Sequence, residues 1–351
     1  MDVRWGFIGA GNVTESKASP TGSFTQAGSQ VVAVTRQNAG HAQAYAEANG
    51  IARAYATVDE LCADVEVNAV FVCTPHHLHK EHVLAAIKAG KHVLCEKPLT
   101  ITTEDGAELV EAAKQAGVVL AVAYYRRFYP VMEMLRAVVR SNRLGLLTSA
   151  QMVCRAYSLK PRPPAGLTVR EGWRTQVAQA GGGTLTDVGS HRLDLLFWLL
   201  GDAASVSATT ERIETWNEGE DQANVAIRFA NKVSGSLDQS WCSRSPRDSI
   251  TVYGTEGIAT IPNLEGTELH LQIGDDTTTL DVGARSVHTH RPLVEDFVAV
   301  LTGGGQVRCT GADALRTTQI IELAYQAARE RRVLEVPRLA SAPPREDEDR
   351  E

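Results

Sequence analysis

The sequence predicts an α/β protein in which a doubly wound parallel sheet is followed by an α+β domain built on a large, open, mostly antiparallel sheet. Three observations carry this reading. Short, continuous apolar runs alternate with helical patterns up to about Ala123, a glycine-rich turn follows the first run, and after Tyr124 the strands lengthen and partly alternate. Continuous runs suit strands buried on both faces, and their alternation with helices implies right-handed βαβ units. The expected domains are residues 1–123 and 124–337, with a tail over 338–351.

In the first domain the expected strands are Trp5–Ile8, Val31–Val34, Ala69–Val72, His92–Cys95 and Val118–Ala121, with helices near 39–49, 59–64, 78–89 and 104–116. In the second, Ser149–Ala156, Ser205–Thr215, Gln222–Phe229 and Ser234–Ser240 read as strands. Proline-rich Lys160–Gly166 and the run Gly181-Gly182-Gly183 read as loops. A helix from about Asp187 to Leu200 is closed by Gly201, and another runs from about Gly311 to Arg331 with bases in its last turn, as the helix dipole favours. The tail is proline-rich and then charged, a composition expected to be disordered.

At 351 residues and 43% hydrophobic the chain is long enough for two cores. Of the net charge of −7, the run Arg345–Glu351 supplies five acids against two bases. The remainder is mildly acidic and has no basic stretch, which excludes general nucleic-acid binding. Six scattered cysteines form no CxxC pair and read as reduced thiols of a cytoplasmic protein. Met1-Asp2-Val3-Arg4 leads straight into a strand, and no apolar run approaches spanning length, so neither export nor a membrane anchor is expected.

Gly9-Ala10-Gly11-Asn12-Val13-Thr14 follows the first strand, and glycines at its first and third positions allow a tight turn and close backbone approach to a pyrophosphate. Thr14 replaces the small residue of the usual dinucleotide fingerprint, and Pro20 and Gly22 shorten or break the following helix. The second strand ends Thr35-Arg36-Gln37-Asn38 with no carboxylate to bind a ribose 2′-hydroxyl. Arg36, with His41 a turn later, instead suits a 2′-phosphate, so NADP is favoured and NAD stays open. The third strand ends at Thr74-Pro75, which with His79 is expected to line the nucleotide crevice. His76, His77, His79 and His82, with only Glu81 beside them, read as a solvated helix start, and no metal is expected.

Glu96-Lys97-Pro98 ends the next strand, where the carboxyl ends of a parallel sheet converge on one crevice. Oxidising a carbinol with a nicotinamide removes hydride from carbon and a proton from oxygen. Lys97 could take that proton if a dry pocket or a neighbouring charge lowers its pKa, or stay cationic and polarise the oxygen. Farther on, Asp187, His191 and Asp194 recur at helical spacing beside the glycine run. His191 suits a general base. Taken alone, Asp187 is equally an N-cap and His191 a structural histidine.

These words in this order resemble the Gfo/Idh/MocA oxidoreductases: Gly9-Ala10-Gly11, Thr74-Pro75 with Leu78-His79, Ala89-Gly90-Lys91-His92-Val93 leading into Glu96-Lys97-Pro98, Arg126-Arg127-Phe128, Trp173-Arg174, and Gly181-Gly182-Gly183 with Asp187-x-Gly189-x-His191. The resemblance implies a Rossmann domain plus an open-sheet domain whose exposed face often mediates homo-oligomers. It matches Lys97 and His191 to the family's catalytic lysine and histidine, Asp187 to an aspartate that positions substrate, and Trp173-Arg174 to a pair that approaches the cofactor. Gln37 and Glu96 join the cofactor set, while Tyr125, Arg127 and His290 are substrate candidates. The expected activity is an NAD(P)-dependent interconversion of a secondary alcohol and a ketone on a sugar, cyclitol, deoxysugar or dihydrodiol. A redox-neutral glycosidase and a non-catalytic nucleotide sensor stand as alternatives.

Overall fold

The computed structural model describes residues 2–157, 172–213 and 217–341. The proline-rich Lys160–Gly166 and the tail beyond residue 341 lie outside them. Two compact units emerge: Met1–Tyr125 with Ser286–Leu315, and the described residues of Arg126–Arg285 with Arg316–Glu351. The segment Ser286–Leu315, expected in the second domain, thus packs with the first. The reason is aromatic: Phe297 of the helix Arg291–Gly303 stacks 5.0 Å from Trp5, and the backbone N–H of Val122 donates to Cys309 O.

The first unit holds six parallel strands: β1 (Arg4–Ile8), β2 (Gln30–Thr35), β3 (Arg53–Tyr55), β4 (Ala69–Val72), β5 (His92–Cys95) and β6 (Leu120–Val122), in the order β3-β2-β1-β4-β5-β6. This is the doubly wound order whose direction reverses between β1 and β4, where such sheets bind ligands at their carboxyl ends. The core is set by Trp5, Phe7, Phe24 and Phe71, whose ring centroids lie 4.7–5.5 Å apart in successive pairs. β3 escapes prediction because Arg53-Ala54-Tyr55 is short, half-buried and not an apolar run.

Local chemistry places the helices near their expected bounds. Asn38 caps Ala39–Asn49 by accepting from Gly40 and His41 N–H, Thr57 and Glu60 form a capping box ahead of Val58–Ala63, and Thr102 caps Thr103–Ala116. After the glycine turn only five residues, Asn12–Ser16, are α-helical before a π-turn at Pro20–Phe24, which is the break that Pro20 and Gly22 predict.

The second unit carries a nine-stranded sheet. Its strands are β7 (Leu147–Tyr157), β8 (Ala203–Glu211), β9 (Gln222–Phe229), β10 (Ser234–Ser240), β11 (Cys242–Gly254), β12 (Gly257–Ile261), β13 (Glu268–Ile273), β14 (Asp276–Asp281) and β15 (Leu334–Glu335). The order is β14-β13-β12-β11-β7-β10-β9-β8-β15, and all pairs are antiparallel except β7 with β10. Along β9, Ala223, Val225, Ile227 and Phe229 are buried while Asn224, Ala226 and Arg228 are exposed, so one face is packed and the other open. The helix Ser190–Leu200 packs against β7 and β10 and is buried along its whole length, not on one face as its spacing implies. Among the described residues no helix is long and apolar enough to cross a membrane.

Candidate functional site

In the first unit the glycine turn lies at the end of β1, beside the loop that leaves β4. Gly9 has φ +87, and a Cβ there would stand 2.2 Å from Thr74 Cγ2, so glycine is required twice over, by conformation and by space. At Gly11 a Cβ would meet nothing nearer than Gly9 O at 3.8 Å. The protein leaves that side open, and a side chain would fill the space a pyrophosphate needs. Ala10 is buried, and Asn12 and Val13 open the short helix, where amides lack intrahelical partners. Thr14, the departure from the fingerprint, is absorbed locally: it is buried, and its hydroxyl donates to Gly11 O at 2.8 Å. The turn therefore fits a dinucleotide despite the short helix.

Arg36 directly follows β2, with its guanidinium 5.5 Å from the ring centroid of Tyr45, whose hydroxyl donates to Thr14 O at 3.5 Å. This arrangement fixes Arg36 next to the turn. Gln37 and His41 are exposed around the same helix start. Beyond the loop that leaves β4, His79 is fully buried, with Nδ1 2.8 Å from Pro98 O and Nε2 2.9 Å from Thr74 O. It ties the Thr74-Pro75 loop to the Lys97-Pro98 loop, and burial pushes its pKa down. His76, in the 3₁₀ turn His76–Leu78 that leads into the helix His79–Lys88, is buried as well, so this histidine-rich start is only partly solvated. The helix packs over the sheet and takes both residues inside.

Lys97 follows β5 and precedes a cis peptide bond to Pro98. Its backbone N–H donates to Glu96 Oε2 at 3.2 Å, and Glu96 Oε1 lies 2.7 Å from His290 Nε2. His290 has no exposed surface, and its ring lies 4.7 Å from that of Tyr125, whose hydroxyl accepts from Lys17 Nζ at 3.3 Å. Burial pushes the Glu96 carboxyl up, but the hydrogen bond and charge of His290, with Lys97, outweigh it and hold it below the usual range. His290 and Tyr125, the substrate candidates of this unit, are both buried and packed on each other. The pairing joins residues 194 positions apart, and no local pattern announces it.

In the second unit the glycine run leads into a π-helical turn, Leu185–Gly189, and then the α-helix Ser190–Leu200. Asp187 sits half-buried inside that turn and is not an N-cap, while His191 is buried in the first turn of the α-helix. The turn is held by Glu220, which sequence reasoning missed. Its carboxylate accepts from Gly183 N–H at 2.9 Å, Leu185 N–H at 2.8 Å and Tyr325 Oη at 2.9 Å. Burial pushes its pKa up, and these donors offset only part of that. A Cβ on Gly183 would stand 1.9 Å from Glu220 O, so the glycine run is shaped by this neighbour and not only by access. The one sequence signal was an acid placed directly ahead of the alternating strand β9.

Arg127 and Asp194 form a buried bidentate pair, with Arg127 Nε to Asp194 Oδ2 at 2.9 Å and Nη2 to Oδ1 at 2.5 Å. Arg127 thereby anchors the helix Ser190–Leu200, which carries Asp194. Trp173 and Arg174 lie in a 3₁₀ turn, Gly172–Thr175, with the guanidinium 4.3 Å from the indole centroid. Among the described residues no cluster of His, Cys, Asp and Glu is arranged to hold a metal.

Residues 3–124 match the oxidoreductase family with an NAD-binding Rossmann fold, and residues 132–260 match the Gfo/Idh/MocA C-terminal domain. The chain is 32% identical over 321 residues to a 1,5-anhydro-D-fructose reductase of Ensifer adhaerens, covering 89% of this chain and 92% of the relative. It is 33% identical over 266 residues to a trans-1,2-dihydrobenzene-1,2-diol dehydrogenase of Mus musculus, covering 75% and 76%. Its fold superposes on an NAD-binding oxidoreductase from Klebsiella pneumoniae with TM-score 0.88 at 22% identity, over 97% and 100% of the two chains. A levoglucosan dehydrogenase in complex with NADH and levoglucosan gives 0.86 at 24%, over 96% and 100%.

Proposed function

The chain belongs to the Gfo/Idh/MocA oxidoreductases, and on that premise we propose an NADP-preferring enzyme that interconverts a secondary alcohol and a ketone on a sugar, cyclitol, deoxysugar or dihydrodiol. The observation that carries the reading is Lys97 beside the largely enclosed Glu96 at the carboxyl end of β5, on a sheet whose order reverses one strand away. The names of the reductase and the dihydrodiol dehydrogenase relatives support alcohol–carbonyl chemistry on a small polyol-like substrate.

Gly9, Ala10, Gly11, Asn12 and Val13 would hold the pyrophosphate, with Thr74, Pro75, His79 and Glu96 lining the path toward the reactive ring. Arg36, with Gln37 and His41 beside it, would meet the 2′-phosphate, since β2 ends without a carboxylate. The nicotinamide, when bound, supplies hydride exchange with the substrate carbon. The chain's own task is the proton. His191 or Lys97 takes it from the hydroxyl in oxidation and returns it in reduction, the other steadies negative charge on that oxygen, and Asp187 orients them. Trp173 and Arg174 keep the cofactor-approaching role that the family resemblance gives them.

The open face of the nine-stranded sheet is the proposed contact between copies of the chain. It is polar, with Arg155 Nε 2.8 Å from Asp238 Oδ2 across the β7–β10 pair. Sedimentation as a monomer at micromolar concentration would remove this part of the proposal.

The test is parallel titration of NADPH and NADH, followed by quenching of tryptophan fluorescence, and then a ketone and aldose screen with the tighter nucleotide. NADPH is expected to bind at least about tenfold more tightly, with Arg36→Ala erasing the difference, as the loss of one charge-assisted contact implies. Equal or stronger NADH binding would overturn the cofactor assignment.

A further inference from the structure

The pairing of Glu96 with His290 is not used by the roles assigned so far, in which Glu96 only lines the cofactor path. Glu96 uses one oxygen to accept from His290 Nε2 and the other to accept from the peptide N–H of Lys97. His290 is fixed from behind: its backbone N–H donates to Lys17 O at 3.3 Å, Thr289 Oγ1 lies 3.4 Å from its Nδ1, and its ring is clamped by Tyr125 at 4.7 Å and Phe71 at 6.2 Å. A buried carboxylate is costly unless it is hydrogen-bonded and charge-balanced, and here both partners are supplied. One of them is a histidine from the segment Ser286–Leu315, far along the chain.

We propose that Glu96 and His290 are positioning residues for Lys97, holding its peptide in place and keeping a negative charge next to it in the chain, so that Lys97 stays cationic and steadies the substrate oxygen. The proposal rests on the reading of Lys97 as a residue of the reaction and decides which of its two roles it plays. The other groups facing Glu96 do not supply the same charge. Cys73 at the end of β4 and Cys95 on β5 are thiols that burial pushes well above their usual range and so stay neutral, and His79 is lowered by burial. Lys17 is turned to the hydroxyl of Tyr125, and Arg36 faces Cys73 and Tyr45.

The test uses the full chain without nucleotide. Acetylation of Lys97 by acetic anhydride is followed across pH by mass spectrometry of the peptide that carries it, with thermal melting to confirm folding. In Glu96→Gln, which keeps the shape and removes the charge, the midpoint of Lys97 reactivity should fall by about one pH unit. Glu96→Asp, which keeps the charge, should stay near the parent. His290→Leu, which removes the donor that keeps Glu96 ionised, should move the midpoint the same way by less. An unchanged midpoint in a folded Glu96→Gln protein overturns the proposal. Should that variant not fold, the same absence of shift in His290→Leu overturns it. Retained turnover in Lys97→Ala would instead remove the catalytic reading of Lys97 and leave the acetylation result standing.

Discussion

Each unit keeps a largely enclosed glutamate beside its candidate functional residues, and the two are used in opposite ways. Glu96 faces an imidazole and a lysine, and these hold it ionised against the cost of burial. Glu220 faces two backbone N–H groups and a tyrosine hydroxyl, and burial wins, pushing its pKa up. Neutral donors satisfy a carboxylate's lone pairs without repaying its lost hydration, whereas a charged or chargeable partner repays more of it. Glu96 is therefore suited to setting charge around Lys97, and Glu220 to setting the path of the chain that carries Asp187 and His191.

The comparison breaks most severely where the second unit's helix loses its anchor. Arg127→Ala leaves Asp194 buried without its bidentate partner, a loss of about 3–5 kcal/mol. Urea unfolding should show it, and hydrogen exchange should place the lost protection on the helix Ser190–Leu200. Unchanged protection would mean that the pair contributes nothing to holding this helix.

A smaller effect separates placement from charge. Glu220→Ala orphans the N–H groups of Gly183 and Leu185 and should cost about 2 kcal/mol or more. In that variant nucleotide affinity should be kept while kcat falls. Loss of nucleotide affinity alone would contradict the division of labour between the two glutamates.

The smallest effect sharpens the contrast by sign. The folded-state pKa of Glu96 is lowered, so its contribution is present above the ordinary carboxylate range and lost as pH falls through its depressed value. That of Glu220 is raised, so its contribution is greatest below the ordinary carboxylate range and lost as pH climbs through its elevated value. Stability measured against pH should therefore differ from the parent in opposite directions for Glu96→Gln and Glu220→Gln, each by about 1 kcal/mol. Parallel curves would contradict the assigned directions.

Much of the fold was legible because its physics is local. Runs such as Ala69–Val72 and His92–Cys95 are apolar on both faces, and Gln222–Phe229 alternates, so each announces its burial pattern. The glycine turn was legible because Gly9 is required by its own φ and by Thr74. The pairing of His290 with Glu96 is not legible, since the two lie 194 residues apart and only the return of Ser286–Leu315 to the first unit brings them together. Glu220 was passed over because Gly219-Glu220-Asp221 looks like a solvated loop until the glycine run closes on it. The pairing of Arg127 with Asp194 is not legible either, because a bidentate partner 67 positions away leaves no sequence signal.

The proposed reaction depends most directly on Lys97. NADPH binding and turnover should be measured together in Lys97→Ala, using tryptophan quenching and the best carbonyl substrate from the screen. The nucleotide should bind within about twofold of the parent while turnover falls by about a thousandfold, as removal of a group acting only in the reaction step requires. Weakened nucleotide binding with turnover retained would contradict it.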